Sequence, residues 1–408
     1  MKNFDIPVYY KSSIIQKIKE IRKERDHYKK DFTPTLLEFG NIDIILARHF
    51  GFCFGVENAI EIAYRTIEEN PNKKIYLLSE MIHNQGVNAD LIANGIEFIL
   101  DSFGNQIIDW DEITSNDIVI VPAFGTTLET EEILRKRNID TLKYNTTCPF
   151  VEKVWKKSNA LGKEDYTVII HGKANHEETK ATFSHAKSGT PSAIVRDIKE
   201  TKLLSKIILG EIDKKEFYKL FEGKFSEGFD VEKDLVKVGV VNQTTMLASE
   251  TQEIADCLKD TMIKKYGNEK INNHFADTRD TLCYATNDNQ QATLELLKEE
   301  ADLAVVVGGY NSSNTSHIVE LLESKFNTYF ISDETKLISK YKIQHFNKNL
   351  KAEKISENYL PENENLKIII TSGASCPDSV VESVMLKLLS FYNNKVLIEE
   401  AIQKLLNV

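Results

Sequence analysis

Between Asn41 and Leu389 the chain repeats one pattern: a short apolar run, a junction rich in Gly, Ser or Thr, then apolar residues at three- and four-residue spacing. The apolar runs at 42–47, 118–121, 167–170, 236–241, 303–307 and 368–370 predict strands, and the spaced stretches after them predict helices. That alternation indicates an α/β architecture with largely parallel sheets. Ahead of it, 13–30 sets Ile14, Ile15, Ile18 and Ile21 among Lys, Glu and Arg, the pattern of an amphipathic helix. It reads as an accessory extension to a core that begins near Asn41. Residues 196–235 are rich in lysine and acids with little strand signal, so they read as a helical insertion on the surface. No low-complexity tract or repeat of solenoid length interrupts the pattern.

Bulk properties narrow the function classes. A chain of 408 residues divides into roughly two or three compact units. A net charge of −11 and a pI near 5.5 remove the electrostatic attraction that dominates nucleic-acid binding, so no DNA or RNA partner is expected. No apolar run approaches the ~18 residues of a membrane-spanning helix. The first 40 residues lack a secretory signal and carry many acids, which points to the cytoplasm. Five widely spread cysteines, an odd count, fit a reducing compartment and leave thiols available for metal or catalysis.

Three of those cysteines occupy equivalent places. Cys53 lies in Gly51-Phe52-Cys53-Phe54-Gly55-Val56, Cys148 in Asn145-Thr146-Thr147-Cys148-Pro149, and Cys283 in Asp280-Thr281-Leu282-Cys283-Tyr284-Ala285-Thr286. Each stands where a helix is predicted to start, and the unpaired amides there stabilise a thiolate and so a metal ligand. One such cysteine alone reads as a small buried hydrophobe. Three in the same setting point to a shared ligand set. Their separations, near a hundred residues, do not resemble the paired spacing of a zinc finger. A four-iron cluster held by three thiolates would leave one iron open to substrate or water. Cys257, within a helical pattern, and Cys376, beside Pro377, read as core positions.

Two junctions are suited to anions. Gly308-Gly309-Tyr310-Asn311-Ser312-Ser313-Asn314-Thr315 and Thr371-Ser372-Gly373-Ala374-Ser375 each join an apolar run to a helix, where amides and hydroxyls converge. Each alone is as well explained by an N-cap with a glycine turn. The pair, with Gln243-Thr244-Thr245 after a third strand, favours a ligand. His83 and the run 171–178 add imidazoles and carboxylates, of which His176 and Glu178 are candidate proton donors, because histidine titrates near neutrality and a sheltered glutamate rises toward it. His185 and His345 read instead as surface polar residues. Neither G-x-x-x-x-G-K-[ST] nor G-x-G-x-x-G occurs, which argues against a triphosphatase and a dinucleotide-dependent oxidoreductase. Electrons would then arrive from another protein.

Taken in order, 51–56, 82–84, 147–149, 171–178, 243–245, 280–286, 311–314 and 371–375 resemble the 4-hydroxy-3-methylbut-2-enyl diphosphate reductase (LytB-type) family, in its longer, plastid-type branch. The resemblance implies three similar α/β lobes in a trefoil around a central [4Fe-4S] cluster, with Cys53, Cys148 and Cys283 as its ligands. The corresponding division is an extension at 1–40, lobes at 41–147, 148–281 (with the insertion near 196–235) and 282–375, and a helical segment at 376–408. It implies reductive dehydration of the allylic diphosphate to isopentenyl and dimethylallyl diphosphate, the last step of the non-mevalonate isoprenoid pathway. An external donor such as ferredoxin or flavodoxin would supply the electrons.

By the same resemblance Glu178 delivers protons, aided by His176, and Thr244 positions the substrate hydroxyl at the open iron. His83, His176, Ser312, Ser313, Asn314 and Ser375 bind the diphosphate. Three positions depart from the family pattern: Phe124 where many members have histidine, Asn289 where arginine is usual, and Cys376 after Ser375. Phenylalanine cannot donate to a phosphate oxygen, so Thr126, Thr127 or exposed amides are the expected substitutes. An iron-sulfur hydro-lyase would use the same open iron without net reduction, and a non-catalytic electron carrier would not need Glu178 and Thr244 beside the metal.

Overall fold

Ile42–Leu46, Leu303–Val307 and Leu366–Ser372 are runs of Ile, Leu and Val broken by few polar residues, as expected of parallel strands covered on both faces. In the computed structural model, which describes residues 4–28, 30–102, 104–276, 278, 281–362 and 365–407, all three lie in one five-stranded sheet. Its strand order is Thr35–Glu38, Ile42–Leu46, Leu366–Ser372, Leu303–Val307, Thr328–Ile331. The first pair is antiparallel and the other three pairs are parallel. This sheet belongs to the first of two compact units, made of residues up to Glu57, His83–Val87, and everything from Tyr284 onward.

The residues before Asn41 are part of that core. Ser12 caps the helix Ser13–Arg25, its hydroxyl accepting the Ile15 amide at 2.8 Å. Ile15, Ile18 and Ile21 are buried in the same apolar cluster as the sheet. Thr35–Glu38 adds an edge strand, inside Leu37 buried and outside Leu36 exposed. The accessory reading is therefore corrected, because a helix whose three isoleucines share one face has to bury them, and the sheet is where they go. A three-stranded antiparallel sheet, Leu337–Ser339, Lys342–Asn347 and Ala352–Glu357, completes this unit. Its last strand is largely exposed and polar, so it left no apolar run to detect.

The second unit, Asn58–Ile82 with Asn88–Cys283, carries two parallel sheets. One orders Ile96–Phe98, Ile75–Leu77 and Ile118–Ile120; the other orders Ser192–Val195, Thr167–His171, Val238–Asn242 and Phe275–Ala276. The α/β architecture with mainly parallel sheets is as expected. The lobe boundary at 41 does not follow sheet membership: Ile42–Leu46 hydrogen-bonds to Leu366–Ser372, not to the strands at 75–120. Parallel strands choose partners far along the chain, and apolar runs alike in composition do not reveal which.

Residues 196–235 are helical, as Ile198–Leu209, Lys215–Leu220 and Val231–Asp234, but they are not a surface insertion. Phe217, Phe221, Leu204 and Ile207 are buried in the core of the second unit. Phe225 forms an antiparallel bridge to Ala193, extending the sheet edge that the sequence reading had excluded. The apolar residues here are thinly spread among charges, and their single face becomes visible only once the helices turn.

Candidate active site

In the first unit the parallel strands deliver their loops to one edge of the sheet. The carboxyl ends of Ile42–Leu46, Leu366–Ser372 and Leu303–Val307, neighbours in that order, lead into the Cys53, Ser375 and Ser312 loops. The ends of adjacent parallel strands are the usual position for a ligand in open α/β sheets. Gly309 allows the Ser312 loop to touch a further segment, since a Cβ there would strike the His83 carbonyl oxygen. Ser375 donates its hydroxyl to that same carbonyl at 3.2 Å, and the Asn84 side-chain amide donates to the Ser375 carbonyl at 2.9 Å. Gly373 and Gly308 close over the Thr315 side chain, where added Cβ atoms would collide with it.

His83, Ser312, Ser313, Asn314 and Ser375 thus lie on segments that these contacts bring together. Ser312 caps the helix Ser313–Glu323, its hydroxyl accepting the Thr315 amide at 3.2 Å. Asn314, 3% exposed, presents an amide whose oxygen and nitrogen both lack a protein partner. A buried polar group left unsatisfied costs free energy, so the position suits a ligand that supplies both an acceptor and a donor contact, or an ordered water standing in its place.

In the second unit, His171 ends the strand Thr167–His171 and the helix Glu177–Lys187 begins six residues later. His176 caps that helix, its Nδ1 accepting the Glu178 amide at 3.2 Å. Glu178 is 1% exposed, and its carboxylate accepts the Thr244 backbone amide at 2.5 Å. Gln243 holds the two loops in register: its Oε1 accepts from the Lys173 amide at 3.2 Å and the Thr179 hydroxyl at 3.0 Å, while its Nε2 donates to Thr245 at 2.7 Å. Gly172 permits this approach, because a Cβ there would meet Thr179 Oγ1 at 2.7 Å. Glu178, His176 and Thr244 are therefore assembled within one unit.

The cysteines stand where expected along the chain. Cys53 precedes the helix Phe54–Glu69, Cys148 stands at the N-terminal position before Pro149–Lys163, and Cys283 precedes Tyr284–Leu296. Cys148 is fixed by its amide, which donates to the Ala123 carbonyl at 3.0 Å, and by Pro149 at the first helical position. Thr281, two residues before Cys283, donates to Asn242 at 2.5 Å, and Asn242 in turn donates to the Gln243 carbonyl at 2.9 Å. The Cys283 segment and the Thr244 loop are thereby coupled. Asp280, in the same motif, lies outside the described residues. No disulfide joins the five cysteines. Among the described residues no three His, Cys, Asp or Glu side chains could hold one metal ion, a constellation that differs from a cluster in which each thiolate binds its own iron.

Cys376 is fully buried, and burial pushes its thiol up; Cys257 sits 3.6 Å from the Ser205 hydroxyl within a helix. Cys376 is the core position expected, whereas Cys257 is half-buried. The two histidines read as surface residues are not. His185 stacks on Trp155 at 3.7 Å and its Nε2 lies 3.1 Å from the Thr126 carbonyl, and desolvation pushes its pKa down. His345 is 7% exposed, paired with Ser356 at 2.8 Å, and burial brings its pKa down to about 4. Phe124 meets His176 edge-on, with ring centroids 5.7 Å apart. The Thr127 hydroxyl accepts the Thr130 amide at 3.3 Å and lies 3.1 Å from the Thr130 hydroxyl, at the cap of Leu128–Lys136.

Sequence reasoning missed Thr179 and Asn242 and gave Asn84 and Gly309 no partner, because their roles depend on contacts between loops distant in the chain. A cleft of about 830 Å³ lined by residues such as Glu129, Lys187 and Phe229 contains none of the expected site residues.

Residues 44–389 match the family described as LytB protein. The chain is 40% identical over 391 residues to a 4-hydroxy-3-methylbut-2-enyl diphosphate reductase of Crocosphaera subtropica, covering 95% of this chain and 92% of that protein. It is 42% identical over 384 residues to the reductase of Rippkaea orientalis, covering 93% and 89%. A solved structure of (E)-4-hydroxy-3-methyl-but-2-enyl diphosphate reductase, described as the terminal enzyme of the non-mevalonate pathway, aligns with TM-score 0.52 at 25% identity over 85% of this chain and 99% of that one. The reductase structure from Plasmodium falciparum shares the fold, with TM-score 0.61 at 23% identity over 89% and 98%. By sequence across nearly its whole length, and by fold, the chain belongs to the LytB family of 4-hydroxy-3-methylbut-2-enyl diphosphate reductases.

Proposed function

We infer that this chain is an iron-sulfur oxidoreductase that converts 4-hydroxy-3-methylbut-2-enyl diphosphate to isopentenyl and dimethylallyl diphosphate, the last step of the non-mevalonate pathway. Among its own residues, the observation that carries the reading is the Asn314 amide, buried without a protein partner in a cradle formed with His83, Ser312 and Ser375. We propose Cys53, Cys148 and Cys283 as the ligands of a [4Fe-4S] cluster. Three reduced thiols at helix N-termini suit that group, since the amide dipoles there favour thiolates. When bound, the cluster supplies electrons and an open iron acting as a Lewis acid on the allylic hydroxyl.

The protein's own part divides into binding and proton transfer. His83, Ser312, Ser313, Asn314 and Ser375, with amides at the start of Ser313–Glu323, take the diphosphate. His176 and Glu178 serve proton transfer, and Thr244 orients the hydroxyl. The C–O bond breaks with uptake of two electrons; one proton leaves with the hydroxyl as water and a second goes to the allyl carbon. Glu178, fixed by the Thr244 amide, is the proton donor. Electrons come from an external protein donor of the ferredoxin or flavodoxin class. Among the described residues no helix is long and apolar enough to cross a membrane.

The test is an assay without oxygen, using the hydroxylated diphosphate and a reduced donor, that follows the two five-carbon products. Product formation lost in Cys148→Ser together with iron supports both the reaction and the ligand. Full iron loading without turnover would sink the reductase reading.

A further inference from the structure

The residues ahead of the first cysteine surround the loop that carries it. Lys19, on the helix Ser13–Arg25, donates to the Phe50 carbonyl at 2.9 Å and to both carboxylate oxygens of Asp378 at 2.7 and 2.8 Å. Its ammonium also lies 4.6 Å from the centre of the Phe50 ring. Asp378 opens the helix Asp378–Ser390, just after Ser375. Gly51 sits beneath this ion pair at φ +84°, where any Cβ would run into the Asp378 carboxylate. One lysine thus ties together the approach to Cys53 and the helix that follows the Ser375 loop.

Aromatic contacts continue the enclosure on both sides of the cysteine. Tyr10 meets Phe52 edge-on at 5.8 Å, and Phe4 meets Phe54 in the same way at 5.0 Å. Further back, Phe32 packs against His49 at 5.3 Å and Asp26 lies 3.8 Å from the Arg48 guanidinium. Within the loop, the Gly51 amide donates to the Ser372 hydroxyl and the Cys53 amide to the Ala374 carbonyl. The burial of Ile15, Ile18 and Ile21 anchors the helix that carries Lys19, so its position does not depend on the ion pair.

We propose that the segment from Phe4 to Phe32 is a clamp that holds the Cys53 loop in the conformation that presents its thiolate, with Lys19 as the positioning residue that locks it. The inference rests on the reading of Cys53 as a cluster ligand. It gives the N-terminal extension a place in the active site without any contact with substrate. Opening of the clamp exposes Cys53 to solvent and to oxidants, so the clamp also sets how long a loaded cluster survives.

The test uses the full chain. In cluster-free protein, iodoacetamide labelling of each cysteine is followed by mass spectrometry for the native chain, Lys19→Met, Lys19→Arg and Tyr10→Ala. Lys19→Met is expected to speed labelling of Cys53 about fivefold, the local opening expected from losing a half-buried ion pair and a charged hydrogen bond, with Cys148 and Cys376 unchanged and Lys19→Arg near the native rate. Tyr10→Ala is expected to act in the same direction. In cluster-loaded protein, Lys19→Met is expected to bleach faster in air. Unchanged Cys53 labelling, or equal acceleration at all five cysteines, would overturn the clamp. Iron content of Cys53→Ser tests the ligand reading separately: full loading there would remove Cys53 from the ligand set while leaving the labelling comparison to judge the clamp.

Discussion

The Glu178 carboxylate accepts the backbone amide of Thr244 at 2.5 Å, joining the start of one helix to the loop after a parallel strand. Because the amide takes one oxygen, the carboxyl group is held in place whichever protonation state it adopts at the other.

Glu178→Gln preserves the size of the side chain and an oxygen for the Thr244 amide but cannot transfer a proton. Turnover is expected to fall by about 10²–10⁴-fold, the usual contribution of a positioned acid. Iron content and unfolding midpoint should stay at native values. Retained turnover would remove Glu178 as the proton donor.

Asn314 carries an amide that is buried without a protein partner. Asn314→Leu is expected to leave the ligand-free protein as stable as the native chain, or more stable by about 1 kcal/mol, because an unsatisfied polar group is removed. The same change should raise KM for the diphosphate substrate by about tenfold or more. Thermal unfolding and steady-state kinetics on one preparation check both; loss of stability with unchanged KM would contradict the assignment.

Phe217 is fully buried and stacks on Phe221 and Phe229, with centroids 5.1 and 5.0 Å apart. Phe217→Ala is expected to cost about 3–5 kcal/mol in a chemical unfolding experiment. A cost under about 1 kcal/mol would return the 196–235 segment to the status of a surface insertion.

His345, with its pKa brought down to about 4 by burial and further by the Lys354 charge across the sheet, resists protonation in the folded state. The unfolded chain takes up that proton near the ordinary value of 6.5. Stability is therefore lost as pH falls from about 6.5 to 4, by about 3 kcal/mol in total, and this contribution is flat above that window. His345→Gln should remove that slope, measured as the difference in unfolding free energy from the native chain at pH 7, 5.5 and 4. An unchanged difference across the three would disprove it.

Much of the chemistry is written locally in the chain. Thr147-Cys148-Pro149 specifies a proline-started helix with a thiol at its head, and Ser312-Ser313-Asn314 specifies a capped one with hydroxyls, because helix starts are decided by a residue and its next three neighbours. The six short apolar runs likewise announce their strands, since burial on both faces leaves few polar residues among them. The polar, largely exposed strand Ala352–Glu357 does not, and it escaped notice.

Partnership was decided elsewhere. Nothing near Ile42–Leu46 says that it pairs with Leu366–Ser372, more than 300 residues away, and nothing near Asn84 says that it holds the Ser375 carbonyl. Lys19 reads as one more charge on an amphipathic helix until Asp378 and the Phe50 carbonyl are brought to it. Caps, thiols and apolar periodicity depend on neighbours a few bonds away, so the amino-acid sequence alone determined them. Which loops meet, and so which polar groups are left facing a ligand, depends on burial summed over the whole sheet, and only the tertiary structure decided it.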